Sequence, residues 1–410
     1  MKFFSDLHIH SKYSRATSSR MDIDGITEMA RLKGIKLLGT GDFTHPAWFA
    51  HLKEKLSYCD NGLFEYDKVK FVLTGEVNNI YTRDGKLRKI HNVIIAPCLE
   101  SAEAITDFLS RYGKIESDGR PILAIDSEKM FERILEIDER NHLIAAHIWT
   151  PWFSLFGSKS GFDSIDECYG KHAQQVLALE TGLSSDPEMN WMWSKIDAFT
   201  LLSNSDAHSP ENIGREANCF DCEMDYDTVM RVIKAGDTNK FLFTVEFFPE
   251  EGKYHFDGHR ACGLRLHPDE AKKKGNICPR CGKPLTIGVL HRIFELSDRK
   301  YGYVPERKIP FRKLVPLTEI LSNAMGCGKN TKAVKSRYRD LITRLGTEFE
   351  ILLDTPYEDL RRVTDENSAD LIMKVRKGDV EVNPGYDGVY GEVRIGRSNG
   401  KKEKQQLELF

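Results

Sequence analysis

The sequence predicts an α/β fold with helices outside a mainly parallel sheet, followed by a small zinc-binding module and a helical C-terminal domain. Three observations carry that prediction. Short apolar runs alternate with amphipathic stretches up to about residue 235. Cysteines in metal-type spacing cluster between 253 and 290. From 311 to 400 the pattern is mostly helical and basic. Strand–helix alternation is the mark of βα units, which leaves a barrel and a doubly wound sheet as the two architectures.

In chain order, the expected strands are Phe3–His8, Ile35–Thr40, Lys70–Val77, Ile90–Ala96, His142–His147, Ala178–Glu180 and Thr200–Asn204. Each is short, apolar and bounded by Gly, Asp or His. The expected helices among them are Asp24–Lys33, Ala102–Gly113, Ser127–Arg140 and Asp225–Ala235. A chain of 410 residues exceeds one hydrophobic core. The changes of pattern divide it into an α/β body at 1–240, a cysteine-bearing module at 241–300, a basic, mainly helical domain at 301–396 and a flexible tail at 397–410.

Forty per cent apolar and 30% charged residues describe a soluble globular protein. The net charge of −3 is unevenly spread, with acid concentrated before residue 250 and base between 259 and 345. An acidic body with a basic arm suits contact with a polyanion. No signal peptide and no long apolar run is present, so the expectation is a cytoplasmic protein with no membrane partner. The nine cysteines are odd in number and lack the spacing of a secreted disulfide framework.

The first candidate site begins at Asp6-Leu7-His8-Ile9-His10. Residues i and i+2 of a strand face the same side, so His8 and His10 present two imidazoles together. Further ligand types recur beside later apolar runs: Asp42, Glu76, His91, His147, Asp206 and His208. All but His91 fall at strand C-termini, where βα loops build the active sites of barrels. Phosphate-ester hydrolysis needs an activated water, charge neutralisation and help for the leaving group, and closely spaced metals supply all three. Glu76 is the best candidate for a bridging carboxylate, with Gly75 leaving room beside it. His8, His10 and Asp206 would complete one site, and His91 and His147 the other. Asp42 would ligate a metal or orient water.

These motifs resemble the polymerase and histidinol phosphatase (PHP) superfamily. The matching pieces are His8-x-His10, Gly41-Asp42, Gly75-Glu76 with His91, Ala146-His147 and Ser205-Asp206-Ala207-His208. The resemblance covers about residues 1–235. It implies a distorted (βα)7 barrel holding two or three divalent metals (zinc, manganese, iron or magnesium). It also implies catalytic roles for Asp206, Glu76, His208 and Asp42. Two departures fall on the third metal site. Phe43 stands where family members often carry a His, with His45 two places on, and the ligand expected after the first motif falls near Ala16. Asp42, His45 and His208 are its remaining candidates.

Cys278-Pro279-Arg280-Cys281-Gly282-Lys283 has zinc-knuckle spacing, and His259-Arg260-Ala261-Cys262-Gly263 repeats it with His in first place. His259, Cys262, Cys278 and Cys281 therefore make a candidate structural zinc site, closed by four protein ligands. His255 and His267 compete with His259 for the fourth position.

In the basic part, Lys332, Lys335, Arg339 and Arg344 recur at spacings that share one broad helix face, suited to neutralising phosphates. Tyr386 and Tyr390 on a Gly-rich loop offer rings for stacking on bases or for packing the C-terminal domain. At the end of the chain, Leu407 and Phe410 resemble part of a sliding-clamp-binding peptide, with Lys404 where its Gln belongs.

The zinc module and basic arm together resemble the archaeal DNA-repair nucleases within the superfamily. That implies cleavage of DNA on the 5′ side of a deaminated base (uracil, hypoxanthine or xanthine) or an abasic site. Trp48, Phe49, Trp149, Trp152, Phe153 and Phe156 are candidates for the base pocket, with the cluster 149–156 equally a candidate cap on the barrel core. Arg15, Arg83 and Lys159 are candidates for phosphate contacts. Two rival readings are a histidinol-phosphate-type small-molecule phosphatase and a nucleic-acid-binding protein with a vestigial barrel.

Overall fold

Seven strands ring the N-terminal part of the computed structural model, which describes residues 1–396. The strands of this part are Lys2–Asp6 (β1), Ile35–Gly39 (β2), Ser57–Tyr58 (β3), Phe64–Tyr66 (β4), Val69–Arg83 (β5), Lys86–Ala96 (β6), Ile122–Leu123 (β7), His142–Ala145 (β8), Ala178–Glu180 (β9), Leu201–Leu202 (β10), Ala217–Asp221 (β11) and Phe241–Glu246 (β12). The sheet order β1-β2-β5-β6-β8-β9-β10 traces the ring. It is drawn shut at the ligand end by a parallel bridge between Ile9 and Ala207. There the His10 amide donates to Ala207 O at 3.0 Å and the Leu7 amide to Asn204 Oδ1 at 2.9 Å. Beyond the ring, β1 carries β11 and β12 antiparallel.

One strand of the ring runs against the others, which simple βα alternation does not predict. β6 pairs antiparallel with both β5 and β8. The cause is local. Asp84 and Gly85, between β5 and β6, both have positive φ (52° and 71°), the requirement of a two-residue hairpin turn. The turn also lets β5 extend to fifteen residues, well beyond the expected Lys70–Val77. Reversal of β6 explains why His91 precedes its apolar run while the other candidates follow theirs. Its N-terminal half lies at the rim of the barrel, with His91 opposite Asn78.

Helices pack outside as their apolar periodicity predicts. Ile23–Lys33 buries Ile23, Ile26 and Ala30, begins with Asp22 accepting from Gly25 N, and stops at Gly34 in the left-handed region. Trp149, Phe156 and Trp193 pack together in the core, ring to ring at 4.9 to 5.9 Å.

The middle segment holds a hairpin of Asp257–His259 (β13) and Leu264–Leu266 (β14) and a helix at Val289–Leu296. Buried His291 of that helix bonds Asp257 Oδ2 through Nδ1 at 2.5 Å, and Asp257 Oδ1 accepts from Gly288 N at 2.7 Å. The third segment returns to the barrel through Phe311–Lys313 (β15), parallel to β12. Four α-helices follow, at Leu317–Met325, Lys332–Leu345, Tyr357–Val363 and Glu366–Arg376. A hairpin of Val380–Asn383 (β16) and Glu392–Ile395 (β17) comes last. Buried Glu348 ties this segment inward, accepting from Leu317 N and Tyr338 Oη and pairing with Lys33 at 3.4 Å. Among the described residues no helix is long and apolar enough to cross a membrane. The clamp-like peptide with Leu407 and Phe410 lies outside the described residues.

Candidate active site

Residues from the first strand to the tenth meet at the closed rim of the ring. His8 and His10 leave β1, Glu76 sits within β5, His91 comes from reversed β6, His147 follows β8, and Asp206 follows β10. The structure gathers them into two groups that share Glu76: His8, His10, Glu76 and Asp206 in one, and Glu76, His91 and His147 in the other, with ligand atoms of each within 4.8 Å of one another. Glu76 offers one oxygen to each group. Its Oε1 lies 2.6 Å from His91 Nδ1 and 3.1 Å from His147 Nε2. Its Oε2 lies 3.2 Å from His10 Nε2 and 3.6 Å from His8 Nε2. Asp206 Oδ1 is 2.9 Å from His10 Nε2 and 3.8 Å from His8 Nε2. Close approach at Glu76 depends on Gly75, whose missing Cβ would meet the backbone and ring of Phe43 at 3.2 to 3.3 Å. Asp42, His147 and Asp206 all have positive φ, backbone strain of the kind that collects at functional sites.

The donor set suits divalent cations. His8 Nε2 is buried without a hydrogen-bond partner among the described residues and faces the two carboxylates. An orphaned buried ring nitrogen is costly, and a bound cation would satisfy it. The electrostatics agree. Burial opposes the charge on His8, yet Glu180 and Glu76 outweigh it and hold the imidazole well above the usual histidine range. Burial likewise works against His10, and Asp42 and Asp206 raise it. Glu76 overcomes its own burial, and is held well below the carboxylate range by His91, Arg120 and His8. Only His91 remains low, pushed down to about 4 by burial. The carboxylates thus favour positive charge at His8 and His10, which metal ions would supply in place of protons.

Asp42 and His208, expected as ligands, fall outside both groups. Asp42 is fully buried and orients His10, with Oδ1 at 3.0 Å from His10 Nδ1. Its other oxygen accepts from Ser11 N, Ser11 Oγ and Ser14 Oγ at 2.6 to 2.9 Å. The His208 ring lies tilted beside that of His10 at 4.4 Å, with Nδ1 2.9 Å from Asp206 O. His45 stacks on Tyr13 at 4.4 Å. Asp42, His45 and His208 do not form a third ligand group among the described residues.

Two side chains at the site went unread in the sequence. Glu180, at the end of β9, lies 2.9 Å from His8 Nδ1 and accepts from His147 N at 2.8 Å and Asn204 Nδ2 at 2.9 Å. It is the carboxylate behind the histidine that fixes ring orientation. Its position as the polar end of an apolar strand was the available signal. Arg120 NH1 reaches Glu76 Oε2 at 3.1 Å. It lies in a loop without periodicity, and nothing local marks it.

Other candidates fall elsewhere. Trp149 is not a base contact: it is fully buried, and its indole NH donates to Asn190 Oδ1 at 2.7 Å. Trp48 is likewise core, donating to Gly41 O at 2.8 Å. Phe49 and Phe156 are buried. Arg83 does not face the cluster; it is held by Asp126 and Glu128 at 2.6 and 3.1 Å. Phe153 does lie at the rim, its ring 5.1 Å from that of His91. Trp152 beside it is 39% exposed. Arg15 and Lys159 are exposed, as are Lys332, Lys335 and Arg339 on their helix.

The second cluster brings together His259, Cys262, Cys278 and Cys281, again within 4.8 Å. Cys278 N donates to Lys283 O and Gly282 N to Cys278 O, both at 2.8 Å, which turns the knuckle back on itself. Against the cost of burial, the amides of Arg280 and Cys281 pull the Cys278 thiol down to about 6, toward the thiolate a metal binds. His255 is buried and pushed down to about 4 by that burial. His267 caps its own helix. Neither enters the group.

A seven-strand ring with one reversed member and a shared carboxylate among histidines is the PHP barrel. Comparison with known proteins narrows the class. Residues 316–379 match the family model described as the MJ0043 C-terminal domain. Protein MJ0043 of Methanocaldococcus jannaschii is 36% identical over 299 residues, covering 69% of this chain and 37% of that protein. The chain thus spans little more than a third of that relative's length. Protein YqxK of Bacillus subtilis is 29% identical over 413 residues, covering 96% of this chain and 99% of that one. The lesion-specific endonuclease PfuEndoQ of Pyrococcus furiosus superposes with a TM-score of 0.87 at 35% identity, covering 97% of this chain and 96% of that one. An endonuclease Q bound to a 27-mer duplex with an abasic lesion at its active site superposes at 0.86 and 34%, covering 99% and 100%. The chain belongs to the endonuclease Q family.

Proposed function

We propose that this protein is a metal-dependent DNA-repair endonuclease that hydrolyses the phosphodiester on the 5′ side of deaminated bases (uracil, hypoxanthine, xanthine) or abasic sites. The observation that carries the reading is Glu76, one buried carboxylate with an oxygen in each of two ligand groups. His8, His10, Glu76 and Asp206 would hold one divalent cation (zinc, manganese, iron or magnesium), and Glu76, His91 and His147 a second. Cations bound there would neutralise phosphoryl charge and lower the pKa of water so that hydroxide is available near neutral pH.

The chain's own residues set the geometry. Glu180 holds the His8 ring, and Asp42 with Ser11 and Ser14 holds that of His10. Arg120 lies beside Glu76 and can contact a phosphoryl oxygen. Asp206 is 26% exposed and faces the open side, where substrate enters. Hydrolysis leaves a 3′-hydroxyl and a 5′-phosphate. A lesion inside a duplex must leave the stack to reach the cluster, and damaged or mispaired bases leave at least cost. His259, Cys262, Cys278 and Cys281 would hold one structural zinc, and the helix face with Lys332, Lys335 and Arg339 would meet the backbone.

The test is a cleavage assay on oligonucleotides carrying each deaminated base or an abasic site, with the scissile bond mapped and histidinol phosphate run in parallel. Cutting on the 5′ side of the lesion is expected. Turnover of histidinol phosphate with intact DNA would refute the proposal.

A further inference from the structure

A strip of aromatic rings leads away from the ligand cluster across three separate parts of the chain. It begins at Phe153, half-buried at the rim beside His91, with Lys89 Nζ 5.0 Å from its ring centre. Trp152 follows, 39% exposed, its ring edge-on to Tyr254 at 5.5 Å. Lys253 Nζ then lies 5.7 Å from the Tyr254 ring and 5.8 Å from the Tyr390 ring. Tyr390 is 74% exposed. The rings thus come from the loop after His147, the start of the zinc module and the C-terminal hairpin.

Folding alone does not account for this arrangement. Exposure of Tyr390 forfeits the burial that makes an aromatic ring stabilising, yet its loop is firmly held. Gly385 N donates to Glu250 O and Gly388 N to Lys253 O, both at 2.8 Å, and Gly391 N to Glu251 O at 3.0 Å. Asp387 accepts from Arg260 N at 2.5 Å and from Thr286 Oγ1 at 2.6 Å. Phe153 has φ of 61°, a conformation that costs energy for a bulky residue. Lys89 and Lys253 lie beside the rings, and the guanidinium of exposed Arg260 lies near Gly388 together with the Tyr254 hydroxyl. Two neighbouring acids are engaged, Asp387 inward on the backbone and Thr286, and Glu392 with Arg394.

We propose that Phe153, Trp152, Tyr254 and Tyr390, with Lys89, Lys253 and Arg260, form a stacking track for unpaired nucleotides of the cleaved strand. The inference rests on the nuclease reading and adds where the strand lies. Rings interleaved with cations bind single strands because every base has a face to stack and every linkage a charge to neutralise. Extrusion unpairs and unstacks the lesion itself, and in a single strand the nucleotides beside it have no partner; the track starts at the cluster where that lesion would be held.

The experiment measures binding of a fluorescein-labelled single strand bearing one uracil, in an Asp206→Ala background at fixed salt. Trp152→Ala and Tyr390→Ala should each weaken affinity about tenfold, while Trp152→Phe and Tyr390→Phe stay within about twofold. A 2-aminopurine beside the uracil should be quenched on binding, and the double alanine variant should lose that quenching. Tyr390 is exposed enough that its removal leaves the fold intact, so Tyr390→Ala decides the matter if Trp152→Ala folds poorly. Unchanged affinity and quenching overturn the track, and are also the result if this surface docks another protein. If wild-type protein cleaves lesion-bearing DNA and the variants bind normally, the track falls and the nuclease reading stands. If wild-type protein cleaves nothing and the variants lose affinity, the reverse holds.

Discussion

The barrel cluster takes its ligands from His8 to Asp206, whereas the knuckle cluster takes all four between His259 and Cys281. The first mixes imidazole with carboxylate, shares Glu76 between two groups and leaves Asp206 partly open. The second uses three sulfurs and one imidazole, all supplied by two tight turns. Long-range assembly makes the barrel cluster a product of the whole fold, in place only when β1, β5, β6, β8 and β10 are in register. Local assembly makes the knuckle a fold-forming element of its own segment. A partly open ligand set suits catalysis and a closed one suits structure.

Asp206→Ala should separate the two most strongly. It removes charge from the open side of the barrel cluster, so cleavage of a uracil-containing duplex should fall on the order of a thousandfold. Binding of the same duplex should stay within a few-fold. Gel-resolved cleavage rates check this, and undiminished cleavage would remove Asp206 from the chemistry.

Cys278→Ser makes the converse cut. Losing one thiolate should release the knuckle metal and lower the thermal midpoint by several degrees, an effect of about 3 to 5 kcal/mol in a chain this size. Barrel metals should remain. Elemental analysis beside a melting curve reads both outcomes, and an unchanged midpoint with full metal would contradict the closed-site assignment.

Glu180→Gln weakens the hold on His8 without removing a ligand. A loss of about 10- to 100-fold in metal affinity is expected. Titrating metal-stripped protein back to activity checks it, and a curve superimposable on wild type would make Glu180 a core residue only.

The smallest effect concerns the joint beside the knuckle. The Asp257 carboxylate, with Glu295 behind it, holds the His291 imidazole up at about 9. Because the folded value lies above the unfolded one, this stabilisation is fully present below about 6.5 and fades as pH rises through about 9. Proteolysis of the segment 241–300 should quicken across that window, and His291→Ala should flatten the dependence. Equal slopes in the two proteins would show that the pair contributes nothing.

Much of the barrel was legible because its signals are periodic. Alternation placed the strands, and His8-x-His10 placed two ligands on one face. The knuckle was legible because its spacing is the geometry itself. Reversal of β6 went unread, although Asp84-Gly85 between two apolar runs is a hairpin signal. The helical pattern elsewhere suggested parallel crossovers and hid it. Trp149 had two readings, base pocket and core cap, because proximity in sequence to His147 says nothing about which way a ring turns after a strand end, and its burial follows the second. Asp42 carries the residue type of a ligand, and only coordinates show Ser11 and Ser14 occupying one of its oxygens and His10 the other. Glu180 and Arg120 act through contacts distant in sequence, which no local pattern records.

The sharpest measurement is the metal content of full-length Glu76→Gln beside wild type. A carboxylate shared by both barrel groups predicts at least two barrel metals and one knuckle metal per wild-type chain. The variant should keep only the knuckle metal. Retention of the full complement in the variant, with cleavage intact, would contradict the shared-carboxylate account.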